Sequence, residues 1–349
     1  MTTFKAPDFH LNKPGTLIAA LPAVLGFVPE KSLVLVTVER GAMGCVMRID
    51  LSAEVLDALD HLAEVASAGC PDAAIAVIVD DEGASCRMCS DEHRLLAEAL
   101  DYALDERGID LLTVHVVDEL AAGARWHCAD GRADTGRVED PMSSPMAVAA
   151  VLDGRRLYSG RAELQAVIAV VDPEHTAALC AVMERAGHDG GLRPESDARG
   201  DVEHALAMVR NVDRGHAPDG DDLVRLGCGL TDPRVRDTLY ALAVGREAGR
   251  AESLWALLAR TIPDPWRAEA LVLLAFSAYA RGDGPLAGVS LEAALRGNAG
   301  HRMAGMLDQA LQSGMRPDQI RELAQTGYRL ARRLGVRLPA RRTVGKRAG

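Results

Sequence analysis

Hydrophobic positions change rhythm about halfway along the chain. In the first half, short apolar runs alternate with stretches of helical period. Residues 33–38 form a continuous run rich in β-branched side chains, which predicts a buried strand. Residues 39–44 hold two glycines and residues 45–51 read as a second strand, so the two predict a hairpin. Ser52, with Glu54 close behind, starts a helix that keeps Leu56, Leu59, Leu62, Val65 and Ala66 on one side, and 69–72 (Gly-Cys-Pro-Asp) ends it. Residues 74–79 are a third strand, closing on an acidic turn, Asp80-Asp81-Glu82. Ser90 caps a second helix with Leu96, Ala99, Leu100, Ala103 and Leu104 in its stripe, and Gly108 stops it. Residues 111–117 and 125–128 read as fourth and fifth strands, the last returning beside the fourth. This rhythm predicts an α/β domain, a mixed sheet with flanking helices in two or three layers.

The second half is helical. A polar stretch fills 129–141, and helices are expected from Ser143, from Gly160, and from Pro173 to Gly187. The segment 187–200 is rich in Gly, Asp and Arg. It divides the chain into an α/β domain (1–190), a linker (191–200), an all-α domain of helical hairpins (201–328) and a basic tail (329–349). Ala275, Ala287, Leu291 and Ala294 follow the small-small-large-small spacing of a tetratricopeptide helix pair, which this domain resembles. A step of 34 residues back reaches Ala241, Ser253, Leu257 and Arg260, where Arg260 departs from the pattern. A step forward reaches Gln309 and loses register. An irregular bundle produces the same spacing, because every close helix contact favours small residues. Thr231-Asp232-Pro233 starts a helix, and Arg234, Arg236 and Asp237 after it are candidates for contacting a partner in a groove between hairpins.

With 349 residues, 48% apolar and 26% charged, the chain has the composition of a folded protein of about two domains. No apolar run approaches the ~20 residues that cross a bilayer, and no apolar run follows the first residues. The seven cysteines are scattered and odd in number, as expected of a cytoplasmic protein without a disulfide framework. The formal net charge of −11 hides an asymmetry. Residues 329–349 contain eight basic residues and no acid, so the remainder carries −19. Arg332, Arg333, Arg337, Arg341 and Arg342 are thus candidates for nucleic acid or an acidic partner, through phosphate neutralisation. No aromatic follows Tyr328, which argues against base-specific reading.

The common catalytic motifs are missing: no phosphate-binding Gly-x-x-x-x-Gly-Lys-Ser/Thr, no His-Glu-x-x-His, no Gly-x-Ser-x-Gly. Gly282-x-Gly284-x-x-Ala287 follows a helix rather than a strand and reads as a turn between helices. No cofactor is expected. Cys86-x-x-Cys89 with His93 four residues on is a weak redox or zinc candidate, short of the four ligands of a structural zinc site. Asp80-Asp81-Glu82 reads either as a metal-binding or as a solvated turn. Trp126, in Arg125-Trp126-His127 at a strand end, reads either as a site residue or as core.

The segment 25–34, Leu-Gly-Phe-Val-Pro-Glu-Lys-Ser-Leu-Val, is similar to the opening signature of an actinobacterial family, family 4192 of the domains of unknown function. Arg125-Trp126 before a polar loop resembles its second signature, and 159–164 (Ser-Gly-Arg-Ala-Glu-Leu) its third. Residues 231–237 and 274–294 resemble its helical half, so the likeness runs from about 12 to 325. It implies a bacterial cytoplasmic protein and no particular activity. Phe27, Pro29, Ser32, Arg125, Trp126 and Arg161 lie in those signatures. The leading expectation is a non-enzymatic protein-interaction, scaffold or regulatory protein. Its rival is a small-ligand-binding or enzymatic α/β domain using Ser32, Arg125, Trp126 and Arg161.

Overall fold

A computed structural model describes residues 13–81, 87–129, 134–152, 157–186, 193–212 and 217–341. The chain divides into two compact units, Met1–Glu163 and Leu164–Gly349.

The first unit begins with α1 (Pro14–Leu25), followed by β1 (Ser32–Glu39), β2 (Ala42–Asp50), α2 (Val55–Ser67), β3 (Ala73–Val79), α3 (Arg87–Asp105), β4 (Asp110–Val117), β5 (Arg125–Cys128) and β6 (Thr135–Arg137). A 3₁₀ turn at Pro141–Ser143, then α4 (Pro145–Leu152) and α5 (Arg161–Ala166), complete it, with the unit boundary inside α5. The sheet order is β2-β1-β3-β4-β5-β6. Only β3 and β4 are parallel, joined through α3 as a strand–helix–strand crossover.

The register sorts side chains onto two faces, because successive residues of a strand alternate. Leu33, Ile78, Val116 and His127 share one row. That face packs under α2 and α3 in a core holding Leu35, Leu59, Leu62, Ala76, Leu96, Leu100 and Leu104. Ser32, Val79, Val117, Trp126 and Gly136 form the adjacent row on the opposite face. Gly15 of α1 lies against Trp126 there, which puts α1 on that side and makes three layers. Being apolar all round, α1 shows no amphipathic stripe and so no helical period in the sequence.

The β1–β2 hairpin forms with a tighter turn than the sequence suggested: Arg40 and Gly41, both at positive φ, make the whole connection. α3 starts at Arg87, before Ser90, and α2 at Val55, with Ser52 Oγ accepting the Glu54 N–H at 3.3 Å. The polar stretch after β5 contains β6, a strand of three residues that carries no periodicity signal.

The second unit comprises α6 (Pro173–Ala186), α7 (Glu195–Val212), α8 (Gly220–Leu230), α9 (Pro233–Leu239), a 3₁₀ turn (Tyr240–Val244), α10 (Ala248–Thr261), α11 (Trp266–Arg281), α12 (Gly284–Gly297), α13 (Arg302–Gln312) and α14 (Pro317–Arg333). Part of the expected linker, 195–200, is the start of α7. The layout is organised around α11, which packs on α8 to α10 and α12 to α14 and is buried at every position from Ala270 to Ala280. α11 and α12 form a close hairpin turning at Gly282 (φ 91°), with Asp283 accepting the Leu286 N–H at 3.1 Å. Among the described residues no helix is long and apolar enough to cross a membrane.

The basic segment is largely built into this unit. Arg329, Arg332 and Arg333 belong to α14, Gly335 turns the chain (φ 70°), and Val336 is buried. The backbone then runs back: the Tyr328 hydroxyl donates to the Pro339 carbonyl at 3.1 Å, and Arg246 N–H to the Ala340 carbonyl at 3.1 Å. Arg341 bridges to Gly245, and Arg342 lies outside the described residues.

Candidate functional site

The carboxyl ends of parallel strands are where open α/β sheets gather ligands, because the crossover helix starts there and the loops diverge. β3 and β4 end side by side at Val79 and Val117. The backbone continues their pairing for one residue, Asp80 N–H donating to the Val117 carbonyl at 3.0 Å. Asp80 therefore stands just beyond the Ile78 row on the face covered by α3. There its carboxylate meets the His93 ring, Oδ2 to Nε2 2.9 Å. α3 aims His93 inward because His93, Leu96, Ala97, Leu100 and Leu104 fall on its core-facing side.

His93 is 5% exposed, and its Nδ1 is buried with no hydrogen-bond partner among the described residues. The Asp80 carboxylate also takes the Lys31 ammonium at 3.0 Å, and Lys31 reaches Asp81 at 2.9 Å. Lys31 sits at positive φ (41°), directly before β1. With Asp80 in the carboxylate form the shared proton lies on Nε2, so in the neutral ring Nδ1 is the acceptor nitrogen. His127 lies on the same face. Burial lowers its pKa, the nearby His93 adds to that, and Asp118 opposes both. The end of the parallel pair thus collects Lys31, Asp80, Asp81, His93, Asp118 and His127.

The residues singled out from the family signatures go elsewhere. Ser32 is fully buried on the opposite face, its hydroxyl donating to the Glu30 carbonyl at 2.5 Å and accepting from Arg48 Nε at 2.8 Å. Arg48 also pairs with Asp50 and lies over the Phe27 ring, 5.9 Å from its centre. Trp126 is on Ser32's face but three strands away, roughly 14 Å at the usual strand spacing. It is core: edge-on to His115 at 5.1 Å and seated over Gly136, where an added Cβ would come within 2.7 Å of the indole. Arg125, its neighbour, points to the other face by strand alternation and is exposed. Arg161 is the exposed first residue of α5, whose start is held by Ser159 N–H and Oγ donating to Glu163 at 2.7 and 2.8 Å. These four side chains do not converge. The signatures do meet through backbone: Phe27 bridges Tyr158, with Tyr158 N–H donating to the Gly26 carbonyl at 2.8 Å.

Among the described residues no group of three His, Cys, Asp or Glu is arranged to hold a metal ion. Cys86 lies outside the described residues, Cys89 is half-buried one turn before His93, and the His93 Nε2 belongs to Asp80. In the helical unit, Asp232 caps α9 and takes the Arg234 guanidinium, while Arg236 pairs with Asp237 at 2.9 Å and Glu269 at 3.1 Å. Arg234 and Arg236 therefore brace helix starts and a buried contact instead of lining an open groove.

The sequence singled out Asp80, His93 and His127 separately, as an acidic turn, a metal candidate and part of a strand end. The pairing of strand ends brings them together. No curated protein and no solved structure matches the chain. The family described as Domain of unknown function (DUF4192) matches residues 14–318. By that match, across both halves of the fold, the chain belongs to the DUF4192 family.

Proposed function

We propose that the α/β unit is a small-molecule site in which His93, oriented by Asp80, accepts a proton from the bound ligand. The observation that supports this reading is a buried histidine with one ring nitrogen fixed by a carboxylate and the other without a partner among the described residues. A buried polar atom left unpaired costs about 1–3 kcal/mol, and such atoms cluster where a ligand completes them. The same arrangement, acid to imidazole to substrate, makes a general base. Lys31 is already held by Asp80 and Asp81, so what the site asks of a ligand is an acidic O–H, N–H or S–H rather than a net charge.

The test is a thermal-shift screen of small organic acids on the full chain, paired with imidazole ¹⁵N spectra. Compounds that stabilise the wild type and fail with His93→Gln and Asp80→Asn, together with an Nε2–H tautomer at His93, are expected. A proton on Nδ1, or ligands indifferent to both substitutions, would overturn the reading. The protein-interaction or scaffold reading is favoured by the exposure of Met306, Met315 and Leu323 in and between α13 and α14, and by the tetratricopeptide-like small residues Ala275, Ala287 and Ala294 at the α11–α12 contact. It gains if the only ligand found is a protein and binding ignores His93.

A further inference from the structure

We propose that the cavity between α14 and the returning segment 335–341 binds a phosphorylated small molecule of nucleotide size. The cavity measures about 620 Å³ and is lined by Glu322, Gln325, Tyr328, Arg329, Arg332 and Arg341. That volume falls within the ~300–1,000 Å³ of small-molecule sites. On α14 the residues 322, 325, 329 and 332 recur at helical spacing, so they form one row. Arg341 is brought over this row by the backbone contacts at Pro339, Ala340 and Gly245, not by a side-chain pair. Its guanidinium is thus carried on an anchored segment.

The charge balance inside the cavity is what points to an anion. Elsewhere in this unit Arg236 and Arg281 are neutralised by Glu269, and by Glu252 with Asp283. Arg332 and Arg341 have no acid within salt-bridge distance among the described residues, and Arg329 donates to the Thr326 hydroxyl at 2.9 Å. No acidic residue occurs from 329 onward, so the only carboxylate of the lining is Glu322, at the other end of the row. Arg329 and Arg332 at one end of the row, with Arg341 carried over it, match the oxygens of a phosphate or diphosphate, which a planar fork holds through paired hydrogen bonds. Glu322 and Gln325 at the other end suit hydroxyl or amino donors on the rest of the ligand. A free inorganic anion would leave that end unused.

The experiment is titration calorimetry on the full chain with pyrophosphate, a nucleoside diphosphate and a short RNA oligonucleotide. The nucleoside diphosphate is expected to bind more tightly than pyrophosphate. Arg332→Gln and Arg341→Gln should each weaken both by about tenfold or more, the loss of one charge-assisted contact. Arg296→Gln, an exposed arginine on α12, should change neither, and Glu322→Gln should weaken only the nucleoside diphosphate. All these sites are exposed, and unchanged melting temperatures verify that the variants fold. The proposal is overturned if neither small probe binds at millimolar concentration, or if the two arginine variants bind as wild type does. It is equally overturned if only RNA binds and that binding follows deletion of 342–349 rather than loss of Arg332 and Arg341.

Discussion

Glu269 in the helical unit and His93 in the α/β unit are both enclosed ionisable groups, and they differ in how completely their polar atoms are partnered. Glu269 accepts from Arg236 at 3.1 Å and from His301 Nε2 at 3.1 Å, while His301 Nδ1 accepts the Ala304 N–H at 3.1 Å and caps α13. Every member of that chain has its partner within the unit. Among the described residues His93 has one partner, Asp80, and one ring nitrogen with none. A closed network adds rigidity to a bundle, whereas a half-closed one at the end of a parallel strand pair leaves a group available for chemistry. Burial alone therefore does not distinguish a structural from a functional ionisable group. The role proposed for His93 rests on its unmet ring nitrogen together with its place at the strand ends, since Trp126, His204 and Tyr240 also carry buried polar atoms without a hydrogen bond among the described residues.

The largest expected effect comes from opening the closed network. Glu269→Ala leaves the largely enclosed Arg236 guanidinium with Asp237 as its remaining acid, and removal of one partner of such a pair costs about 3 kcal/mol, the low end of the buried-pair range. Urea denaturation of the two proteins checks this. A pH series sharpens it. Burial raises the Glu269 carboxyl, but hydrogen bonding to His301 and the charge of Arg236 outweigh burial and hold it below its ordinary 4.5. A carboxyl depressed on folding contributes stability that is complete above 4.5 and is lost as pH falls through the folded value. Wild type should therefore lose more stability on acidification than Glu269→Gln does.

Next in size is packing. Gly136→Ala drives a methyl to 2.7 Å from the Trp126 ring, and overpacking of this kind costs about 1–3 kcal/mol. Gly305→Ala, in the middle of α13 with open space around the position, should stabilise instead, by roughly 0.5–1 kcal/mol of helix propensity. Melting temperatures that move in opposite directions support the assignment of Trp126 to the core. A Gly136→Ala protein as stable as wild type would return Trp126 to the list of site candidates.

The smallest effect tests the opening family signature. Ser32→Ala removes one acceptor from Arg48 and one donor to the Glu30 carbonyl, a loss of about 1 kcal/mol. Ligands found in the screen should bind Ser32→Ala as they bind wild type, because Ser32 lies on the face away from His93. A ligand that depends on Ser32 more than on His93 would place the site on the other side of the sheet.

Much of the α/β unit was legible in the sequence because its strands are short apolar runs between polar turns, and period and length suffice for those. The runs at 33–38, 74–79 and 111–117 emerged that way, the fifth strand as a return beside the fourth, and the start of α9 from Asp232 ahead of Pro233. Two elements did not. α1 is apolar on all sides and β6 is three residues long, so neither shows a period. The candidate site was legible only in pieces. Asp80, His93 and His127 are far enough apart in sequence that no spacing rule joins them, and Ser32 and Trp126 drew attention as polar or aromatic exceptions within signatures when their roles are to pack and to brace.

The sequence by itself determined the alternation of strands and helices, the change to an all-helical second half, the charge asymmetry and the family. Those properties are local or additive along the chain, so hydrophobic period, caps and counted charges are enough to read them. The tertiary structure decided which face each residue occupies, that α11 is enclosed on every side, that the basic segment folds back through Tyr328 and Arg341, and that Asp80 meets His93. Each of these depends on register between strands or on contact between elements distant in sequence, where a shift of one residue exchanges the faces of a sheet and would carry Asp80 away from its histidine.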